Sequence, residues 1–132
     1  MILIDSSTII DFFNGIENRQ TSYLNDALGR ENFIIGDIIL AEVLQGFRTK
    51  NDFIKAKELL SDFPIYNLCG KEIAVKSTKN FRTLREKGIT CRKTIDSIIA
   101  AFCIENEITL LHNDKDFILF ETEFNLRVIH LD

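Results

Sequence analysis

The chain has 132 residues, 45% of them hydrophobic, and a formal net charge of −4. That length suits a single domain over residues 1–132 with its own core, and the acidic balance argues against nonspecific polyanion binding by the whole surface. No apolar run is long enough to span a bilayer, and the N-terminus lacks the features of a secretory signal, so a cytoplasmic protein with no membrane partner is expected.

The chain opens on Met1-Ile-Leu-Ile, an aliphatic run that reads as a strand buried on both faces, followed at once by Asp5, Ser6, Ser7 and Thr8. Thr8 to Phe13 reads as a short helix stopped by Asn14-Gly15, and Thr21 to Leu28 as a second helix closed by Gly29. Phe33-Ile34-Ile35 is the next strand. Asp37 can cap an apolar helix from Ile38 to Phe47, and an amphipathic helix follows from Asp52 to Leu60. Ile65 to Leu68 is a third strand. A long helix runs from Lys71 to Lys87, with Ile73, Phe81 and Leu84 toward one side and lysines and arginines opposite. Thr94 is expected to cap the helix that runs through Glu105. Thr109 to Leu111 is a fourth strand, Lys115 to Glu121 a short helix or turn, and Arg127 to His130 a fifth strand. Strands alternating with helices make the class α/β, with a five-stranded, mainly parallel sheet. Strand order 3-2-1-4-5 would bring the carboxyl ends of the first and fourth strands to one crevice, where open α/β sheets bind ligands.

Three cysteines, Cys69, Cys91 and Cys103, form no CxxC pair and there are two histidines, which speaks against a structural zinc site and for free thiols. Charge is uneven. Residues 71–93 hold eight basic residues and two acids, against eight and eighteen in the remainder. A run of this kind is commonly a solvated helix face, but this one concentrates half of the basic residues.

Four acids break the local hydrophobic logic. Asp5 ends the first strand, where it can also cap the following helix. Glu42 lies inside IILAEVLQG, a helix apolar nearly all round and so expected to be buried; its carboxylate needs a partner, a gap to solvent, or a cation. Asp96 lies in KTIDSIIAAFCI, in the first turn of the most apolar helix, where the helix dipole also favours it. Asp114 follows the fourth strand in LLHNDKDF, with Asp116 two residues on, in a stretch that also suits a turn. Carboxylates so grouped could not all stay ionised without a cation between them. With few histidines and no cysteine pattern, the set suits a hard, oxygen-preferring ion, Mg²⁺ or Mn²⁺, the equipment of phosphodiester hydrolysis. The basic helix, with Arg92 and Lys93 just before Asp96, would hold a polyanionic backbone near that site.

The ordered set MILIDSS, ILAEVLQG, KTIDSIIAAF and LLHNDKDF resembles PIN-domain proteins, specifically the VapC-type toxins of type II toxin–antitoxin pairs. The likeness covers essentially the whole chain. It implies a three-layer α/β/α PIN fold and a Mg²⁺- or Mn²⁺-dependent endoribonuclease. Carried over by motif, the family's acids fall on Asp5, Glu42, Asp96 and Asp114, with Asp116 auxiliary. The hydroxyls after the first acid map to Ser6 and Ser7, which would serve the helix or orient water while Asp5 faces the ion. Lys79, Arg82, Arg85, Arg92 and Lys93 would contact RNA. A homodimer is implied, as is a small VapB-type antitoxin whose C-terminal segment crosses the groove. His112 stands where many relatives carry threonine or serine. The alternative is a PIN-like adaptor without catalysis, disfavoured by the complete acid set. A haloacid-dehalogenase-type phosphatase needs a second Asp where Ser7 stands, and a receiver domain needs an Asp at the end of the third strand, which has none.

Overall fold

The computed structural model describes residues 1–131. Four parallel strands, β1 (Ile2–Ile4), β2 (Phe33–Gly36), β3 (Ile65–Tyr66) and β4 (Thr109–Leu111), lie in the order β3-β2-β1-β4. Around them are α1 (Ser6–Phe13), α2 (Arg19–Ala27), α3 (Asp37–Leu44), α4 (Lys50–Leu60), α5 (Gly70–Glu86), α6 (Thr94–Asn106) and α7 (Ile118–Phe124), with a 3-10 turn at Lys115–Phe117. Both crossovers from β1 through β2 to β3 move the same way, so right-handedness puts α1 to α4 on one face. The return from β3 to β4 reverses direction and puts α5 and α6 on the other. α1 accordingly packs on α2 and α3, and α5 on α6. The three-layer α/β/α class is as expected, and so is the order of the first four strands.

β1 and β2 are buried along their whole length and β4 after Thr109: Leu3, Ile35, Leu110 and Leu111 have no exposed surface. That explains why they read as continuous aliphatic runs instead of alternating ones. β1 and β4 pair Leu3 with Leu110 and Ile4 with Leu111, so both strands end at the same level. Beyond that level Asp5 donates its backbone N–H to the Leu111 carbonyl at 2.9 Å.

The expected fifth strand is reduced to one parallel bridge, Leu110 to Val128. Leu110 donates its N–H to the Arg127 carbonyl and accepts from Ile129, and there the ladder ends. β4 is only three residues long and turns away at His112, so it has no further backbone to offer. β3 is likewise cut to two exposed residues at the sheet edge.

Other departures are local. Lys93, not Thr94, is the N-cap of α6, and no side-chain bond caps it. α2 begins earlier than expected because Asn18 and Thr21 form a reciprocal capping box. Asp37 is the first residue of α3 instead of its cap; its Oδ1 accepts from Ile38 and from Leu68, tying the helix start to the end of β3. Gly36 precedes it under Leu68, whose side chain would overlap any Cβ placed there. α3 is less covered than its composition suggests, with only Ile39 and Val43 fully buried and Ala41 exposed. The inner face of α5 runs through Ser77, Asn80 and Leu84, and Phe81 points outward beneath the Arg85 guanidinium. No helix among the described residues is long and apolar enough to cross a membrane.

Candidate metal centre

Each acid that looked misplaced in the sequence lies at the carboxyl end of the sheet. Asp5 leaves β1, Glu42 lies on the helix that leaves β2, and Asp114 follows β4. Asp96 comes in on the first turn of α6, which a run of apolar residues buries against the sheet. Four separate elements thus deliver one carboxylate each.

Asp5 serves two purposes at once. Its Oδ2 accepts from the Ser7 N–H at 3.1 Å and from the Ser7 hydroxyl at 2.6 Å, so Asp5 itself is the N-cap of α1. The capping role, which the place of Asp5 at the end of the first strand allows, thus falls to Asp5, and Ser7 orients its carboxylate instead of capping the helix itself. Both bonds fall on Oδ2, which fixes the carboxylate plane. Ser7 links it to β4, because its hydroxyl also accepts from the Asn113 N–H at 3.0 Å. Asn113 in turn donates to Asp11, which also accepts from Asn18. Ser6 lies beside Glu42, and its hydroxyl favours the ionised carboxylate there.

Asp96, Asp114 and Asp116 each offer an oxygen within 4.8 Å of one another. Lys93 draws them together: its Nζ lies 3.3 Å from Asp114, 3.6 Å from Asp116 and 3.8 Å from Asp96. Asp116, expected only as an auxiliary, is as close to this triplet as the others. Asp5 and Glu42 stand outside the triplet, yet the charges of Asp5 and Asp114 both act on Glu42 and on Asp96.

The electrostatics of these acids divide. Burial raises Asp5, with the Asp114 charge adding to it against the Ser7 bonds. Burial also raises Glu42, and Asp5 pushes it further. Asp96 is pushed up to about 7, by burial first and then by its acidic neighbours, although Lys93 opposes them. Asp114 goes the other way. Partial burial would raise it, but the Asp116 N–H and the Lys93 ammonium outweigh that and hold it below its ordinary value.

The donor set fits a hard divalent cation. The ligand atoms are all carboxylate oxygens, and Asp96 Oδ2 is a buried atom with no hydrogen-bond partner. An orphaned buried carboxylate oxygen is costly, and a bound cation is what would satisfy it. Among the described residues the three cysteines are free and none belongs to the cluster.

Of the basic residues, Lys93 alone reaches the acids. Lys79 lines a shallow groove with Lys71, Lys76 and Glu105. Glu105 is nine residues along α6 from Asp96, roughly 13 Å by helix rise, so Lys79 lies at the far end of that helix. Arg82, Arg85 and Arg92 are exposed, and the first two lie on the later turns of α5, whose chain leads through Arg92 to Lys93.

The sequence pattern marks His112 and Asn113 only as neighbours of Asp114, and it does not point to Asp11 or Glu121 as parts of the site. Asp11 could have been found, since it lies four residues after Ser7 on the same face of α1. Glu121 could not: its partner His112 lies across a turn and a helix start, with no periodic spacing between them.

Comparison with known proteins agrees with this geometry. The family model described as PIN domain matches residues 2–121. Among solved structures, a chain of VapBC2 from Rickettsia felis, bound to a fragment of promoter DNA, is 22% identical over 100% of both chains, with a TM-score of 0.75. VapBC-1 from nontypeable Haemophilus influenzae is 22% identical, covering 97% of this chain and 96% of that one, at a TM-score of 0.73. VapC20 of Mycobacterium tuberculosis, a toxin that cleaves the sarcin-ricin loop, is 14% identical, covering 90% and 94%, at a TM-score of 0.64. At these identities the likeness is one of fold.

Proposed function

The chain belongs to the PIN-domain family, and from that premise we propose that it is a Mg²⁺- or Mn²⁺-dependent endoribonuclease, the toxin of a toxin–antitoxin pair. The observation that carries the reading is the buried Asp96 Oδ2, which accepts no hydrogen bond and has only the Lys93 ammonium 3.8 Å away, within a group of carboxylates drawn from separate elements. A stability-only structure has no reason to assemble such a group. Solved structures of similar fold include VapBC complexes and a toxin that cleaves the sarcin-ricin loop, which supports the toxin and antitoxin roles.

Asp5, Asp96 and Asp114 would hold the ion, with Asp116 beside them. A bound divalent ion supplies a more acidic water and neutralises charge on the phosphate. This chain's residues do the rest. Ser7 orients the Asp5 carboxylate through two bonds. Glu42, raised by burial and by Asp5, is suited to take the proton of the attacking water at its carboxylate. Arg82, Arg85 and Arg92 are exposed and would meet the RNA backbone, with Lys93 nearest the reacting phosphate. The partners follow from the same reading: an RNA substrate, a VapB-type antitoxin whose tail covers the groove, and a second copy of the chain. The site of action would be the cytoplasm.

The test is cleavage of purified RNA with Mg²⁺, with Mn²⁺ and with chelator, beside Asp5→Asn checked for fold by circular dichroism. Cleavage that needs the ion and is lost in the variant supports the reading. Wild-type rates in chelator, or in the variant, overturn it. Sequencing RNA ends after induced expression would then identify the target.

A further inference from the structure

Between β4 and α7 the chain makes a compact knot around His112. The ring lies against the fully buried Phe117, with centroids 4.9 Å apart, and its side chain is 11% exposed. Both ring nitrogens are used. Nδ1 accepts the backbone N–H of Asp114 at 3.1 Å, and Nε2 faces Glu121 Oε2 at 3.0 Å. A backbone N–H can donate only to a ring nitrogen without a proton. The ring proton is therefore on Nε2, where it donates to Glu121. Both contacts call for the same tautomer: the Asp114 N–H needs a bare Nδ1, and Glu121 accepts the proton carried on Nε2. The Asp114 carboxylate closes the turn by accepting the Asp116 N–H at 2.9 Å.

We propose that His112 and Glu121 act as a positioning pair, holding the Asp114 turn so that the carboxylates of Asp114 and Asp116 face the ion site before any ion arrives. The pair touches neither substrate nor ion. It acts through the Asp114 amide, as groups that orient metal ligands do. This rests on the metal-centre reading above, and its test is separable from that of RNA cleavage.

Two substitutions split the ring's two bonds. In His112→Asn the amide oxygen takes the place of Nδ1 and can still accept from Asp114, but Glu121 is lost. In His112→Gln the longer amide reaches toward Glu121 and Asp114 is released. Mn²⁺ binding, followed by titration calorimetry at pH 8 without RNA, reads the difference. Asn at 112 is expected to stay near wild type, and Gln to weaken Mn²⁺ by about tenfold or more. Glu121→Gln, which keeps an acceptor for Nε2–H, should also bind like wild type, whereas Glu121→Ala should weaken binding as His112→Gln does. Thermal melts accompany each titration. Lower melting temperatures with wild-type Mn²⁺ affinity in all four variants would mean that the pair only stabilises, and would overturn the proposal. A wild-type protein that binds no Mn²⁺ would overturn the metal centre and the proposal with it. Should His112→Gln fail to fold, Glu121→Ala, whose side chain is a quarter exposed, decides the matter.

Discussion

The two sides of the acid cluster contain the same kind of side chain and treat it in opposite ways. On the wall, formed by the end of β1, the second half of α3 and the start of α6, Asp5, Glu42 and Asp96 are held above their ordinary carboxylate range. On the loop after β4, Asp114 is held below it. Distance does not separate them, since Asp96 and Asp114 have oxygens within 4.8 Å of each other. Compensation does. Asp114 has a backbone N–H and the nearest approach of Lys93, whereas Asp96 Oδ2 is buried without a hydrogen bond. The wall is short of positive charge and the loop is not. A divalent ion would make up that shortfall, and its charge would favour the ionised form of the wall acids.

The largest expected effect sets wall against loop directly. Asp96→Asn and Asp114→Asn should each lower RNA cleavage by more than about a hundredfold, since losing a ligand exceeds the effect of losing a group that orients one. Their stabilities should part company. Asp96→Asn relieves a buried, under-compensated charge, so the metal-free protein at pH 8 should melt higher by roughly 3–6 °C, equivalent to about 1–2 kcal/mol. Asp114→Asn weakens the cap that accepts from Asp116 and removes a partner of Lys93, so its melting temperature should fall. Equal shifts in the two variants would break the comparison.

Next in size is the pH dependence of the metal-free protein. An acid whose folded pKa lies above its unfolded value stabilises the fold while protonated. That stability is complete below the unfolded pKa and is lost as pH rises through the folded one. For Asp96 the window runs from the ordinary carboxylate value of 3.8 to about 7, and Asp5 and Glu42 act in the same direction. Asp114 has the opposite sign, but its contribution is lost only as pH falls beneath the ordinary carboxylate value. Between about pH 5 and pH 8 the wall alone therefore acts, and the melting temperature in chelator should fall. Adding Mn²⁺ should cancel the fall, because the ion and the proton compete for the same oxygens. A flat melting profile in chelator would show that the wall acids carry no such strain.

The comparison also explains what the sequence could show. The wall was legible because its acids interrupt apolar periods: Glu42 among Ile39 and Val43, Asp96 before Ile99 and Ala100. Buried strands announced themselves by aliphatic runs such as Ile2–Ile4, and right-handed crossovers left few orders to choose from. The loop was harder to read. Asn113 and Asp116 look like turn formers because they are turn formers, and their partners, Ser7 and Lys93, are distant in sequence or lie on another element. The fifth strand failed for a related reason. Val128 and Ile129 have the right residue types, but pairing depends on how much of β4 is left to pair with, and β4 ends at Leu111. Phe81 was assigned to the inner face of α5 by its apolarity, whereas the face is fixed by Leu84 with the polar Ser77 and Asn80.

The smallest effect concerns Lys93, the residue that makes loop and wall unequal. Its ammonium lies 3.3 to 3.8 Å from three carboxylates that would hold the ion, so ion and ammonium cannot both occupy that space at full charge. On the proposed reading Lys93 would stand in for the cation and would move outward when the ion entered. A unit charge about 4 Å away contributes about 1 kcal/mol in a water-like dielectric, and Lys93 is exposed enough for that limit to apply. Lys93→Met should therefore tighten Mn²⁺ binding by about fivefold at low salt. Measuring at pH 8 keeps protons from refilling the acids once the ammonium is gone. High salt should shrink the gain, because an exposed charge is screened while the buried Asp96 is not. A purely RNA-contacting lysine behaves otherwise: its loss would raise KM for RNA and leave Mn²⁺ affinity where it was. Lys93→Met should also lift Asp114 toward the range of the wall acids, since Lys93 is one of the groups that hold it down. If Asp114 stayed low without Lys93, the Asp116 N–H would be the whole cause, and the inequality would lie in the backbone of the turn.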